Sequence, residues 1–343
     1  MAEPAIAYPG AKTRFYQYMV DYFPVDMKVF IEPFLGGGSV SLAVADDGRF
    51  TKLDRMIAGD LYTETWAFHS GVKKDPSAVE ELAIKMFTEH CPTHEIMRVN
   101  NISRETLKEY IDSDKYLTDE NLTEADRKTI SEKLDIYNKG IKEAEEFWKW
   151  TQSVDTTQMS LEERAARMII VNKISFSGMG DSGSLSKDQF CDFRLDKLKK
   201  IYPASRALQR VEILNVPFEE TMKFASEDPD NTFVFLDPPY AKQETSSGGL
   251  YGKGGNTHKG FPHQEFADTT KALPCKWFVT YDDSVIVRKL FAGKTAKGTE
   301  CYFKPFTIPG GYTMAGKTSE DALAGEELFI TNYDLDEDEG YNF

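Results

Sequence analysis

Short apolar runs alternate with longer segments of helical spacing along this chain. The runs 28–34, 56–60, 211–216, 233–236 and 276–281 are mostly apolar, as in strands buried on both faces of a sheet, and 326–332 has an apolar centre, Leu-Phe-Ile. Apolar residues recur at helical spacing in 15–22, 40–45, 79–86, 134–150, 161–171 and the segments that begin at 219 and 261. This alternation predicts an α/β fold.

The segment 75–165 differs from the rest of the chain because it is charged, poor in glycine and helical in its spacing. It predicts an inserted helical subdomain, bounded at 61–165, within one discontinuous domain formed by 1–60 and 166–343. Trp148 and Trp150 lie in this insertion. Core packing is favoured for both over stacking on bases, because most buried aromatic side chains serve packing alone.

The segment 232–240, Thr-Phe-Val-Phe-Leu-Asp-Pro-Pro-Tyr, holds the most specific chemistry in the chain. Its strand must stop at Asp237, because the two prolines that follow cannot continue a hydrogen-bonded ladder. The Asp237 side chain, the Pro238 and Pro239 carbonyls and the Tyr240 ring then lie at the carboxyl end of a strand, where open α/β sheets bind ligands. An ordinary polar turn is the alternative, but paired prolines flanked by Asp and Tyr are uncommon.

A glycine loop follows the first predicted strand. Leu-Gly-Gly-Gly-Ser at 35–39 precedes the helix 40–45, for which Ser39 is the predicted N-cap. Strand, glycine turn and helix form the first half of a Rossmann-like unit. Asp60 ends the next strand about 20 residues later, where a carboxylate binds ribose hydroxyls in nucleotide sites. Taken alone, this pair also suits a nicotinamide oxidoreductase, a hypothesis that leaves the segment 237–240 unexplained.

The net charge of −15, taken alone, argues against nucleic acid as a partner. The acids, however, concentrate in 61–165 and 334–339, whereas 194–210 is basic. That basic segment is either a track for nucleic-acid phosphates or a solvated helix face. A Gly/Ser/Lys-rich loop, 243–260, is typical of a lid or a disordered tip. We expect this loop to become ordered only when nucleic acid is bound, with Lys253 and Lys259 near phosphates.

Cysteine and histidine usage argues against a metal site. The four cysteines form no Cys-x-x-Cys pair that the five histidines could complete into a zinc site. Scattered cysteines fit reduced thiols in a cytoplasm. The sequence shows no membrane-length apolar run and no signal-peptide pattern at its N-terminus. We therefore expect a cytoplasmic protein with neither a metal nor a membrane partner.

The order of these motifs resembles that of the Dam-type DNA adenine-N6 methyltransferases, the D12 class with the α arrangement. Tyr-Pro-Gly-Ala-Lys at 8–12 is similar to the N-terminal turn of that family. Phe-Ile-Glu-Pro-Phe-Leu-Gly-Gly-Gly-Ser at 30–39 is similar to its cofactor loop. The segments 162–167, 172–178 and 327–332 look like further family motifs. The resemblance covers the chain apart from the insertion and the C-terminal tail.

The resemblance implies a Rossmann-like, S-adenosylmethionine-dependent methyltransferase that acts on double-stranded DNA in a prokaryotic or phage-infected cell. The implied catalytic residues are Asp237, Pro238, Pro239 and Tyr240. The implied S-adenosylmethionine pocket is lined by Tyr8, Lys12, Glu32, Pro33, Phe34, Gly36, Gly38 and Ser39, with Asp60 on the ribose and Phe218 on the adenine. The expected DNA contacts are Asn172, Lys173, Arg194, Lys197, Lys199, Lys200, Lys253 and Lys259. Target recognition is expected from 61–165.

The residues at 237–240 suit this chemistry on physical grounds. The N6 lone pair of adenine is delocalised into the ring and is a poor nucleophile. Acceptors at the Asp237 side chain and the Pro238 carbonyl can each take one N6 hydrogen and aim the lone pair at a methylsulfonium group. Tyr240 can stack on the base, which must first flip out of a duplex.

Three positions depart from the family pattern: Pro217 where an acid is frequent, Tyr8 in place of Trp, and Ser177 in place of Asn. RNA adenine, cytosine N4 and protein glutamine remain alternative substrates, since enzymes that act on them share the Asp/Asn-Pro-Pro-Tyr segment. A non-catalytic nucleic-acid-binding protein on the same fold is a further alternative. The recognised DNA sequence and the oligomeric state do not follow from the sequence.

Overall fold

One seven-stranded sheet organises the part of the chain that the structure describes. The computed structural model describes residues 2–111, 113–240, 260–307 and 326–335. The strands are β1 (Val29–Glu32), β2 (Arg55–Gly59), β3 (Val211–Leu214), β4 (Thr232–Leu236), β5 (Lys276–Asp282), β6 (Tyr302–Thr307) and β7 (Glu326–Thr331). Their order across the sheet is β3-β2-β1-β4-β5-β7-β6. The predicted α/β fold is confirmed, and each of the six predicted strands is present.

The first five strands of this order are parallel, and β7 runs antiparallel to both of its neighbours. β1 pairs with β2 on one side and with β4 on the other, so the order of the strands reverses between β1 and β4. Ligands of open α/β sheets bind at such a reversal, beyond the carboxyl ends of the strands. Glu32, Asp60 and Asp237 all lie at this edge, because they end or directly follow β1, β2 and β4.

Successive side chains of the central strands enter two separate cores. Phe30 and Phe233 pack into the core on one face of the sheet. Ile31 and Val234 pack into the core on the other face. Both faces of the sheet are covered by core residues. This explains why these strands are continuous apolar runs and do not alternate between apolar and polar residues.

The edge strand β6 is absent from the sequence-based prediction. Its sequence, Tyr-Phe-Lys-Pro-Phe-Thr, contains Pro305, which lowers the expectation of a strand because proline cannot donate to the ladder. The structure places this proline opposite Leu328 in an edge strand. An edge strand has a hydrogen-bonded neighbour on one side only, so it tolerates a residue without a backbone N–H group.

The helices cover both faces of the sheet and make up most of the segment 61–165. They are α1 (Tyr16–Met19), α2 (Ser39–Asp46), α3 (Thr63–Lys74), α4 (Pro76–His90), α5 (Thr93–Val99), α6 (Lys115–Thr118), α7 (Glu124–Ser153), α8 (Leu161–Ile174), α9 (Lys187–Cys191), α10 (Ile201–Leu208), α11 (Phe218–Met222), α12 (His263–Lys271) and α13 (Val285–Leu290). Capping boxes start α7 at Thr123 and α8 at Ser160. Within the described ranges, no helix has the length and apolar character that crossing a membrane requires.

Residues 61–165 are largely helical and contain α3 to α7 and the first residues of α8. α3 packs against α8 and α10, and the Lys73 ammonium group donates to the Val211 carbonyl of β3 at 2.6 Å. Trp148 and Trp150 are partly buried against the core, and Trp150 stacks on His90 with ring centroids 4.7 Å apart. The core interpretation of these two tryptophans is therefore confirmed. The boundary of the inserted subdomain at 61 and 165 stays a prediction.

Candidate active site

Two side chains from other elements fix the carboxylate of Asp237. The Lys12 ammonium group lies 2.8 Å from both carboxylate oxygens, and the Thr280 hydroxyl donates to Oδ1 at 2.8 Å. Lys12 also donates to the Gly10 carbonyl at 2.8 Å and is only 1% exposed. A carboxylate offers roughly four lone-pair sites, so two protein donors leave acceptor capacity for a further hydrogen. The N-terminal turn, β4 and β5 therefore meet at one oriented acceptor.

The ring of Tyr240 is held beside this carboxylate. It packs on Tyr281 with centroids 5.8 Å apart and an interplanar angle of 28°. The Lys12 ammonium group lies 5.1 Å from the Tyr240 centroid, and the Tyr240 hydroxyl donates to the Glu327 carboxylate. Lys12 thus contacts both the acidic and the aromatic member of the 237–240 segment, a role that the sequence did not assign to it.

The glycine loop takes the tight shape that its composition predicts. Gly36 and Gly38 have positive φ, +49° and +76°. A side chain at Gly36 would place its Cβ 2.9 Å from the Tyr8 ring, so the loop and the N-terminal turn approach closely. Asp60 accepts from the backbone N–H groups of Gly36 and Tyr62, at 2.8 Å each. Burial raises the pKa of Asp60 to about 6, against the effect of these two hydrogen bonds.

Two predicted pocket residues hold the loop and the helix that follows it. Glu32 is buried, and its Oε2 accepts from the backbone N–H of Ser41 at 2.9 Å and from the Ser41 hydroxyl. The predicted N-cap role of Ser39 is wrong. Gly38 is the N-cap residue of α2, without a side-chain cap, and the Ser39 hydroxyl instead accepts from the backbone N–H of Lys12 at 3.0 Å.

His69 in α3 completes the support of the loop and was missed from the sequence. It is buried, with Nε2 2.8 Å from the Gly36 carbonyl oxygen. Burial lowers its pKa to about 4, so the ring is neutral near pH 7 and donates this bond from Nε2. A lone histidine on a helix carries no sequence signal for such a role.

Phe218 belongs to an aromatic cluster on the other side of the edge. It stacks on Phe34 with centroids 5.5 Å apart and contacts Phe261 and Phe266 at 5.7 and 5.5 Å. Only 7% of Phe218 is exposed. Pro217, directly before it, is the N-cap residue of α11 and contributes no side-chain acceptor. The structure therefore brings Phe34 and Phe218 together, while their contact with a cofactor stays a prediction.

The predicted DNA contacts fall into three groups. Asn172 is 4% exposed and its side chain bonds to the backbone of Ala7 and Gly178, so it fixes the N-terminal turn. Lys173 donates to the Ala5 carbonyl at 2.6 Å, and burial, with Lys200 and Lys197 nearby, lowers its pKa to about 8. The exposed cations are Arg194, Lys197, Lys199 and Lys200. Lys253, Lys259 and the expected ordering of 243–260 lie outside the described residues.

Comparison with known proteins agrees with this arrangement. The chain matches the family model of the D12 class N6 adenine-specific DNA methyltransferases over residues 8–302. It is also similar to the Type II methyltransferase M1.LlaDCHI of Lactococcus lactis subsp. cremoris, with 24% identity over 340 residues, 96% of this chain and 95% of the relative. The family match confirms the predicted enzyme class, methylation of adenine N6 in DNA with a methyl donor of the S-adenosylmethionine type. The chain belongs to the D12 class of N6 adenine-specific DNA methyltransferases.

Proposed function

We propose that this protein transfers the methyl group of S-adenosylmethionine to N6 of an adenine flipped out of duplex DNA at a specific site. The observation that carries the proposal is the Asp237 carboxylate at the end of β4, fixed by Lys12 and Thr280 beside the Tyr240 ring. A carboxylate so fixed costs little reorganisation when a substrate amine arrives.

Asp237 and the Pro238 carbonyl are the proposed acceptors of the two N6 hydrogens. Together they orient the amine so that its lone pair points at the reacting methyl carbon. When it is bound, S-adenosylmethionine supplies this methyl group on an electrophilic sulfonium. As the N–CH₃ bond forms, the S–CH₃ bond would break and the sulfur would leave as the neutral thioether of S-adenosylhomocysteine. The alkylated N6 would then carry a positive charge, and Asp237 is positioned to receive the proton that it loses. Tyr240 and the Pro239 turn hold the base in place, with the ring of Tyr240 as the stacking surface.

The residues at the glycine loop fit S-adenosylmethionine. The Asp60 carboxylate ends β2 beside the loop, where it can reach ribose hydroxyls in addition to the two backbone groups that it already binds. The negative charge of Asp60 near pH 7 also suits a positively charged sulfonium. Tyr8, Pro33, Phe34, Gly36, Gly38 and Phe218 are the proposed walls. Glu32 and Ser39 act through the loop, because their described bonds are to Ser41 and Lys12.

The proposed DNA surface combines the exposed cations at 194–200 with the helical subdomain 61–165 as the reader of the target sequence. Lys253 and Lys259 remain proposed phosphate contacts. The relative from Lactococcus lactis is described as a Type II methyltransferase, and a role in restriction–modification in a prokaryotic or phage-infected cytoplasm is proposed here by analogy. No metal takes part in the proposed reaction.

The test is sequencing with modified-base detection on plasmid DNA from cells that express the protein, beside an Asp237→Ala control. N6-methyladenine in one short motif, absent in the control, is the expected result. The variant should still bind S-adenosylmethionine, because Asp237 lies outside the glycine loop. Methylation retained by the variant would remove Asp237 from its role. Methylated RNA or protein in place of DNA would change the proposed substrate while leaving the proposed chemistry of the 237–240 segment unchanged.

A further inference from the structure

A buried carboxyl group contacts the hydroxyl end of the Tyr240 side chain. Glu327 is 1% exposed, and its Oε2 accepts a hydrogen bond from the Tyr240 hydroxyl. Glu327 lies in β7, opposite Asp282 of β5, and three apolar residues follow it in the strand. A fully buried glutamate is rare in proteins unless it has a partner, because desolvation of its charge is costly.

Tyr240 belongs to a small assembly that we call the aromatic platform, formed by Tyr240, Tyr281, His263 and Glu327. Tyr240 stacks on Tyr281, and the Tyr281 hydroxyl contacts Nδ1 of His263. The two tyrosine hydroxyls are thus held from two different elements, β7 and α12. Stacking fixes the separation of the two rings, and the hydroxyl contacts fix their direction.

We propose that Glu327 is a positioning residue, which holds the Tyr240 ring in the plane on which the flipped adenine stacks. This inference rests on the proposed function. A bond to a carboxylate is stronger than one between neutral groups, so it fixes the position of the hydroxyl end of the ring before the base arrives. Stacking on Tyr281 sets the plane of the ring. A ring restrained in this way keeps the base, and with it the N6 amine, in line with Asp237.

A purely structural role for Glu327 is the competing explanation. Leucine at this position would continue the apolar sequence of β7 without desolvation of a carboxyl group. If Glu327 served the strand alone, its loss would change the unfolding free energy but not the stacking of the target base. The two roles therefore differ in a measurable property of the bound base.

The experiment uses DNA that carries the methylation motif found by modified-base sequencing. In one set of duplexes 2-aminopurine replaces the target adenine, because its fluorescence reports stacking. In Glu327→Leu we expect a single-turnover methylation rate about tenfold lower, as for the loss of one hydrogen bond, and an altered 2-aminopurine signal. Glu327→Gln keeps an acceptor oxygen and should retain most of the rate. Tyr240→Phe should resemble Glu327→Leu, and combining the two should add no further loss.

Thr331→Val is the matched control. The wild-type Thr331 hydroxyl is buried in the same strand and donates to the Tyr333 carbonyl at 2.5 Å. Its removal should leave the methylation rate and the 2-aminopurine fluorescence at wild-type values. Wild-type rate and fluorescence in Glu327→Leu would overturn the inference, and so would additive losses in the double variant. If the leucine variant fails to fold, Tyr240→Phe provides the test: wild-type rate and fluorescence in that variant would overturn the inference. A wild-type protein that methylates no adenine in DNA would instead overturn the proposed function, and this inference with it.

Discussion

At the scale of one residue, the buried carboxyl group of Glu32 makes the stability of the fold depend on pH. Burial raises its pKa to about 8 from an ordinary value of 4.5, although two bonds from Ser41 act in the opposite direction. The folded protein therefore holds this proton more tightly than the unfolded chain does. The contribution of Glu32 to stability is most favourable below about pH 4.5 and is lost as the pH rises towards 8, by at most roughly 1.4 kcal/mol per pH unit.

Glu32→Gln should remove this dependence. Glutamine keeps an oxygen that can accept both bonds from Ser41, but it does not titrate. We expect the free energy of unfolding of the wild type, minus that of Glu32→Gln, to fall steadily between pH 5 and pH 8. Urea unfolding at several pH values measures this difference, with Asp60 and the other carboxyls common to both proteins. A difference that stays constant across the range would show that Glu32 keeps an ordinary pKa.

The sequence singled out Asp237, Tyr240 and Lys12, but it did not indicate which side chains hold the first two in place. Asp237 and Tyr240 stand out because their neighbours are unusual along the chain. Thr280 lies in an apolar strand and gives no such signal, since only the pairing of β4 with β5 brings its hydroxyl to Asp237. Glu327 carried a weak signal, as an acid that begins an apolar run within a predicted strand. Partners that are distant in sequence require the three-dimensional fold.

At the scale of elements, local rules predicted the strands of the sheet and the course of the glycine loop. They failed where a longer-range contact decided the outcome. Ser39 fits an N-cap by residue type, but its hydroxyl is used by the backbone of Lys12. β6 contains Pro305, which only the edge position of that strand accommodates. A shift in charge and glycine content marks the segment 75–165 in the sequence, but it does not show that α3, before that segment, packs against α8 and α10.

Gly36→Ala tests whether the loop geometry serves cofactor binding. Gly36 has a φ of +49°, and an added Cβ would lie 2.9 Å from the Tyr8 ring. We expect a loss of about 1–3 kcal/mol in the free energy of unfolding, and weaker S-adenosylmethionine binding because the loop must shift. Urea unfolding and titration calorimetry measure the two effects.

Gly48→Ala is the control for this substitution. Gly48 is exposed, and a Cβ there would meet no atom within 4 Å. Its replacement should leave cofactor affinity unchanged. If Gly36→Ala binds S-adenosylmethionine as the wild type does, the loop does not contact the cofactor closely.

At the scale of the whole molecule, an acidic protein must bind a polyanion. The net charge of −15 opposes long-range attraction to DNA, so we propose that binding depends on the local cations at 194–200. Lys197, Lys199 and Lys200 are exposed along this stretch. Burial lowers the pKa of Lys173, and the positive charges of Lys200 and Lys197 lower it further. The stretch also contains ion pairs of its own, Arg194 with Asp196 and Lys200 with Glu3. The salt dependence of DNA binding distinguishes a DNA track from a solvated face.

Replacement of Lys197, Lys199 and Lys200 by glutamine tests this surface. Each lysine that contacts a phosphate releases about one counterion. In the triple variant the plot of log K against log salt should therefore be less steep, with a slope smaller in magnitude by about 3. The methylation rate at saturating DNA should stay unchanged, because the track lies outside the 237–240 segment. Glutamine at the exposed Lys52, Lys223 and Lys297 removes the same charge elsewhere and controls for net charge. Equal slopes in the two triple variants would mean that net charge, and not this track, governs binding to DNA.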